Sequence, residues 1–167
     1  MEKIDCKDGV LSLLEEKDLK LVFKFLSLSY LNFFSINDKR ISEKEIYTNY
    51  LNNFDSNNDQ IVYLKLGALS NYRPLMLYRI EKKNNSYFIS FSVRRSDLGM
   101  KYLRHSLPKI SKYIISKNPE EVLILVGKKD YEIQKLVIKA GFNNDIYNIN
   151  NNNFLLYSLY GDLFRVN

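Results

Sequence analysis

The residue types best suited to chemistry gather at 93–100. There an apolar, strand-like run ends and Arg94, Arg95, Ser96, Asp97, Leu98, Gly99 and Met100 follow. A helix starting at or near Leu98 and Gly99 leaves its first backbone N–H groups without intrahelical partners. Such a terminus attracts anions through those donors and the helix dipole. Glycine at 99 permits close approach of a ligand, and two guanidinium groups add positive charge. The chemistry this junction suits is the seating of a pyrophosphate. Taken alone it has little specificity, because many strand-to-helix turns contain glycine.

Other reactive side chains are few. Glu81, at the end of a strand-like run, has the type needed for a general base acting through water, or for a solvated strand end. Cys6 is the sole cysteine and His105 the sole histidine. One thiol forms no internal disulfide, and one histidine leaves no room for a His-rich metal site or most Ser-His-Asp arrangements. No metal is therefore expected. His105 falls off the apolar face of its helix and reads as a surface residue. Cys6 has no evident base partner.

The chain has 167 residues and is 46% apolar, which suits one domain spanning 1–167 with a sizeable core. The opening residues carry charges of both signs and no apolar run, so no signal peptide or membrane span is expected and the cytosol is the default location. The net charge of +6 is unevenly spread. Residues 1–60 hold 8 basic and 11 acidic side chains, residues 61–120 hold 12 and 3, and residues 121–167 hold 5 and 5. A middle third at +9 creates a field that draws phosphates, or else a solubilising lysine surface. Nucleic acid finds no support in helix-turn-helix, zinc-finger or basic-aromatic patterns.

The elements that must position these residues follow from periodicity. Residues 8–14 suit a short opening strand. Leu19, Val22, Phe23, Leu26, Tyr30 and Phe33 mark one face of a helix after Asp18. Ser42 and Glu45 form a capping box before a second helix with Ile46, Tyr50, Leu51 and Phe54 inward. Strand-like runs at 61–69, 75–81 and 86–93 have short links and suggest an antiparallel meander. Ser90 and Ser92 share one face of the third, leaving room for something to approach the backbone, or facing solvent.

Met100, Leu103, Leu107, Ile110 and Ile114 then run at helical spacing, with Pro108 expected to kink the helix and Asn118-Pro119 to end it. The unbroken apolar run at 122–127 reads as a strand buried on both faces. Asp130 is placed to cap a last helix carrying Ile133, Leu136, Val137 and Ala140. Two strand-like pieces, near 142–149 and 154–160, flank an asparagine-rich hairpin loop. The order is α/β, with a parallel pair expected at 86–93 and 122–127. Ligands gather where such a sheet opens beyond its strand ends.

This order, over nearly the full chain, resembles the GCN5-related N-acetyltransferase (GNAT) fold: a mixed central sheet with an antiparallel N-terminal meander, flanked by about four helices. In that family a strand leads into R/Q-x-x-G-x-G/A and a helix. Arg94 and Gly99 match, and Asp97 stands where glycine is usual. A later helix of pattern N-x-x-A-x-x-L-Y-x-x-x-G-F is matched in spacing by 130–142. Leu136, Gly141 and Phe142 agree, while Asp130 replaces Asn, Ile133 Ala and Val137 Tyr.

The resemblance implies acetyl-CoA or another acyl-CoA as co-substrate. Its pantetheine arm would run beside Phe91, Ser92 and Val93. Its pyrophosphate would rest against Arg94, Arg95, Ser96, Asp97, Leu98, Gly99 and Met100, with Asp130 nearby. Transfer would be direct, from thioester to a primary amine. Tyr131 is the tyrosine nearest the replaced position on its helix, and with Glu81 it makes the pair of candidate proton-transfer residues. The first two helices of this fold often wall the acceptor pocket, which would bring Tyr30, Phe33 and Phe34 to it; core packing is the other reading of those aromatics. The stretch from Tyr78 to Gly99 is loosely similar to members that acylate amino groups on nucleotide-linked sugars, so such a sugar or another small amine is the expected acceptor. Monomer and homodimer both remain open. Asp97 and Val137 sustain a second reading, a GNAT-fold binding or sensor module without catalysis.

Overall fold

A computed structural model of the chain describes residues 3–7, 9–20, 23–24, 42, 44–45, 48, 60–67, 74–93, 97–144 and 154–160. Most of the two helices expected over 19–33 and 42–54 lies outside them, as do Tyr30, Phe33, Phe34, Arg94, Arg95, Ser96 and the asparagine run. Of the expected capping box, the Glu45 N–H donates to Ser42 Oγ at 3.2 Å.

Strands β1 (Ile4–Cys6), β2 (Gly9–Leu13), β3 (Gln60–Gly67), β4 (Pro74–Lys83), β5 (Ser86–Val93), β6 (Glu121–Gly127), β7 (Asn143–Asn144) and β8 (Phe154–Tyr160) form one sheet in the order β1-β2-β3-β4-β5-β6-β8-β7. Helix α1 (Asp97–Ile115) joins β5 to β6, and α2 (Tyr131–Lys139) follows β6. The ladders from β1 to β5 are antiparallel, as the short links require. β5 and β6 are parallel, because a helix long enough to recross the sheet lies between them.

Several expectations change in detail. The opening segment is a hairpin closing at Cys6↔Gly9 instead of one strand. β4 takes in Lys82 and Lys83, so its turn into β5 shrinks to Asn84-Asn85, with Asn84 at φ 54°. Asparagine tolerates that left-handed conformation through its short polar side chain. β7 has two residues, Asn143 paired with Ser158 and Asn144 with Tyr157. α1 runs uninterrupted through Pro108, which sits on its exposed face. Asn118, at φ 54°, and Pro119 follow its end as expected.

Alternation sorts β4 and β5 into two faces. Met76, Tyr78, Ile80, Ile89, Phe91 and Val93 take one of them, and both described helices pack there. α1 brings Leu103, Leu107, Ile110 and Ile114, at steps of four and three; α2 brings Ile133, Leu136 and Val137. Each such side chain fully buried stabilises the fold by roughly 1.5–3 kcal/mol. No helix among the described residues is long and apolar enough to cross a membrane.

Candidate functional site

The parallel pairing of β5 with β6 is short. It runs from Ser86↔Glu121 to Ile89↔Ile124 and stops. β5 continues to Val93 in register with β4, up to Met76↔Val93. β6 continues to Gly127 in register with β8, up to Gly127↔Phe154. Past Ile89 and Ile124 the two strands therefore follow different neighbours, and the sheet opens between them. The opening faces the C-terminal ends of two parallel strands, where α/β sheets take ligands.

The face of β4 and β5 turned away from the described helices carries charge. Arg79 is 2% exposed, and its Nη1 donates to Glu81 Oε2 at 2.6 Å. Glu81, a candidate base by sequence, is thus engaged in holding a buried cation. Removing one partner of such a pair leaves an uncompensated charge in a dry place. Ser90 stands directly across the ladder from Arg79, where paired residues share a face with Cβ atoms about 4.5–5.5 Å apart. Ser90 is 7% exposed and Ser92 fully buried, which rules out solvent as what their face meets. The Ser90 hydroxyl has no hydrogen-bond partner among the described residues.

Polar groups on the helix-packed face are satisfied. Ser106 Oγ lies 2.6 Å from the Tyr78 hydroxyl and 2.7 Å from the Tyr102 carbonyl oxygen. A carbonyl only accepts, so Ser106 donates to Tyr102 and Tyr78 donates to Ser106. Burial pushes the Tyr78 hydroxyl far above its usual titration range, and burial likewise raises the Cys6 thiol. Cys6 is a packed core residue rather than a poised nucleophile.

Each lip of the opening leads into a helix. On the β5 side α1 starts at Asp97, one residue before the expected Leu98. Leu98 is exposed, Gly99 buried and Met100 packed against the core. Phe91 and Val93 point their side chains into the core, so only their backbone faces the seam.

On the β6 side the turn is tight. The Asp130 N–H donates to the Gly127 carbonyl at 3.0 Å, and Gln134 Nε2 donates to the carbonyls of Gly127 and Lys128 at 2.9 and 3.0 Å. Asp130 sits at the helix start, but its carboxylate makes no capping bond, contrary to expectation. It lies against Gly127, where an added Cβ would come 2.5 Å from Oδ2. Tyr131, the first residue of α2, is 68% exposed, whereas Val137 is fully buried in the core. His105 is half-buried rather than a surface residue.

Phe91–Val93 end β5 on one side of the opening, Asp130 and Tyr131 follow β6 on the other, and Leu98–Met100 lie in the first turn of α1. Glu81 lies on the adjoining strand, on the face away from the described helices. Sequence reasoning missed Arg79 and the isolation of Ser90. The signal for Arg79 was an arginine inside an otherwise apolar β4 run, two residues before a glutamate. Among the described residues no group of His, Cys, Asp and Glu is arranged to hold a metal. Elsewhere a partly buried ion pair joins Asp18 to Lys65; Asp18 Oδ2 also accepts from the Glu15 N–H at 3.0 Å, tying a short 3-10 turn to β3.

No family model and no curated protein sequence matches the chain. Solved structures do match it over almost its whole length. The ribosomal-protein-S5-alanine acetyltransferase of Vibrio fischeri superposes with a TM-score of 0.72 at 10% identity, covering 97% of this chain and 98% of that one. An acetyltransferase of the GNAT family from Bacillus anthracis gives 0.71 at 13% identity, covering 96% and 99%. The dodecameric spermidine N-acetyltransferase of Vibrio cholerae gives 0.71 at 13% identity, covering 94% and 97%. At such identities the likeness is one of fold.

Proposed function

We propose that this chain, whose fold is that of the GCN5-related N-acetyltransferases, transfers an acyl group from acetyl-CoA or another acyl-CoA directly to a primary amine. The observation that carries this reading is the opening of the sheet past Ile89 and Ile124. An extended arm bearing amide groups adds to an opened ladder much as a peptide strand adds to a sheet edge. The residues present fit such a ligand: the backbone of Ser90–Val93 along one wall, the N–H groups of the first turn of α1 at the mouth, and a buried hydroxyl inside that lacks a partner. Arg94 and Arg95 supply, by sequence, the positive charge a pyrophosphate needs.

The bound group supplies an electrophilic thioester carbonyl. The chain supplies orientation and a polar wall. A β5 backbone N–H polarises the carbonyl oxygen as the amine adds. Tyr131 stands exposed at the β6 lip, away from the reacting thioester, and the buried Val137 has no proton to give, so the departing thiolate takes its proton from water. Glu81 is held by Arg79, so in this scheme a water on its solvent side relays the proton from the amine. Asp97, by sequence, brings a negative charge to the residues that open α1, which favours the helix dipole and opposes a pyrophosphate.

The acceptors named for the structural neighbours, a ribosomal-protein alanine and spermidine, are both amines. With amino sugars they define the panel to try. A thermal-shift titration with acetyl-CoA tests the reading, since a ligand that binds only the folded state adds about 2.7 kcal/mol at a hundredfold excess over Kd. A rise in Tm with thiol release on the panel is expected. No rise at millimolar acetyl-CoA overturns the reading. A rise without thiol release favours a sensor module, the reading that Asp97 and the buried Val137 support.

A further inference from the structure

We infer that Ser90 is a catalytic residue: its hydroxyl donates a hydrogen bond to the acyl carbonyl oxygen as the amine attacks. This rests on the acyltransferase reading above and deepens it.

Ser90 is the first residue of β5 beyond the last parallel pair, Ile89↔Ile124, so it stands at the deepest point of the opening. Strands rise about 3.3 Å per residue, which puts Ser90 on the order of 10 Å below the end of β5 at Val93. An arm whose phosphates stay at the mouth sends its thioester end to the bottom.

The second step is satisfaction. Buried hydroxyls are nearly always hydrogen-bonded, and each exception calls for an explanation. Ser86, on the same face of the same strand four residues earlier, has its partner in Glu121 Oε1 at 3.2 Å. Ser106 and Ser111 on α1 are bonded as well. Ser90, 7% exposed, is not. An orphaned hydroxyl at the closed end of a ligand channel is explained if the ligand brings the partner.

The third step is sign. The cross-strand neighbour of Ser90 is Arg79, a buried cation, and Glu81 lies one diagonal further, across from Phe88. The Arg79 guanidinium is paired with Glu81, and a carbonyl oxygen has no proton to give, so a hydroxyl beside it can only donate. The hydroxyl therefore acts as donor to the carbonyl rather than as acceptor from the amine.

In the step itself the amine nitrogen forms the C–N bond and the carbonyl π pair moves onto oxygen. Ser90 Oγ–H and the β5 backbone N–H stabilise that oxygen. The C–S bond then breaks, the amine's surplus proton leaves through water, and the thiolate is released. Ser90 keeps its proton throughout.

The test compares wild type with Ser90→Ala, Ser90→Thr and Ser86→Ala. Three readouts are used: thermal unfolding without ligand, the infrared carbonyl stretch of bound acetyl-CoA labelled with 13C at the carbonyl, and thiol release with an amino sugar, spermidine and a peptide bearing a free N-terminus. For Ser90→Ala the expectation is a Tm no lower than wild type, a carbonyl band shifted to higher wavenumber, and kcat lowered about a hundredfold with KM for acetyl-CoA little changed. Ser90→Thr restores the band and much of kcat; Ser86→Ala leaves both alone. The inference is overturned if Ser90→Ala binds acetyl-CoA with the band unmoved and turns over like wild type, or if it melts well below wild type, which would mark Ser90 as a structural partner. Wild type that neither binds nor consumes acetyl-CoA brings down the acyltransferase reading itself, and this inference with it.

Discussion

The two halves of the seam between β5 and β6 are built from one strand pair yet treat polar groups in opposite ways. In the closed half, Ser86 and Glu121 face each other in register and bond at 3.2 Å. In the open half, Ser90 is more deeply buried and has no partner among the described residues. A hydroxyl left unpaired in a dry interior costs on the order of 1–3 kcal/mol. A fold tolerates that where a ligand or a reaction uses the group. The informative part of this sheet is where pairing stops, and the stop is visible as register rather than as composition.

The largest effect is expected at the charged pair bordering the open half. Glu81→Ala is expected to cost about 3–5 kcal/mol in urea unfolding, because the buried Arg79 guanidinium would lose a carboxylate partner. A loss well under 1 kcal/mol would mean water reaches Arg79 and the open half is wet.

Next in size is a satisfied hydroxyl on the helix-packed face. Ser106→Ala removes the group that accepts from Tyr78, with an expected loss of about 1–3 kcal/mol. Adding Tyr78→Phe should recover part of it, since the stranded hydroxyl is then gone.

The same face sets a pH limit. The Tyr78 hydroxyl and the Cys6 thiol titrate higher in the folded chain than their ordinary values of 10.0 and 9.0, both chiefly through burial. Groups raised in this way contribute stability that is complete below those ordinary values. That stability is lost as pH climbs from there toward the folded values. Unfolding monitored by circular dichroism should therefore begin above about pH 9, and Tyr78→Phe should move the onset upward.

The smallest effects fall on the two serines themselves. Ser86→Ala should cost under about 1 kcal/mol, because its bond is partly solvated. Ser90→Ala should cost nothing or stabilise slightly, since it deletes a buried group with no partner. If both cost the same, the two halves of the seam do not differ.

Much of the architecture was legible before any coordinates. The helical spacing of Leu103, Leu107, Ile110 and Ile114 and the unbroken apolar run at 122–127 predict a helix and a doubly buried strand, and both are found. The order of strand, long helix and strand predicts the parallel pair, and β5 and β6 are parallel. Such features are local. Periodicity within one element reports which of its faces is dry, and connection length limits how neighbouring strands can pair.

Other features depend on residues far apart in the chain. Ser90 reads equally well as solvent-facing until the burial of its face is known. Glu81 reads as a free base until Arg79, two residues back on the same strand, proves to be buried and aimed at it. Asp130 has the residue type of a helix cap, yet its carboxylate is turned elsewhere by the turn at Gly127.

The amino-acid order thus determined by itself most of the described elements, their sequence and the residue types at the two lips. Tertiary structure alone decided that β5 and β6 part after Ile89 and Ile124. Whether two strands stay paired is set by the competing registers of their outer neighbours, β4 and β8, and no window of sequence around the seam contains those registers.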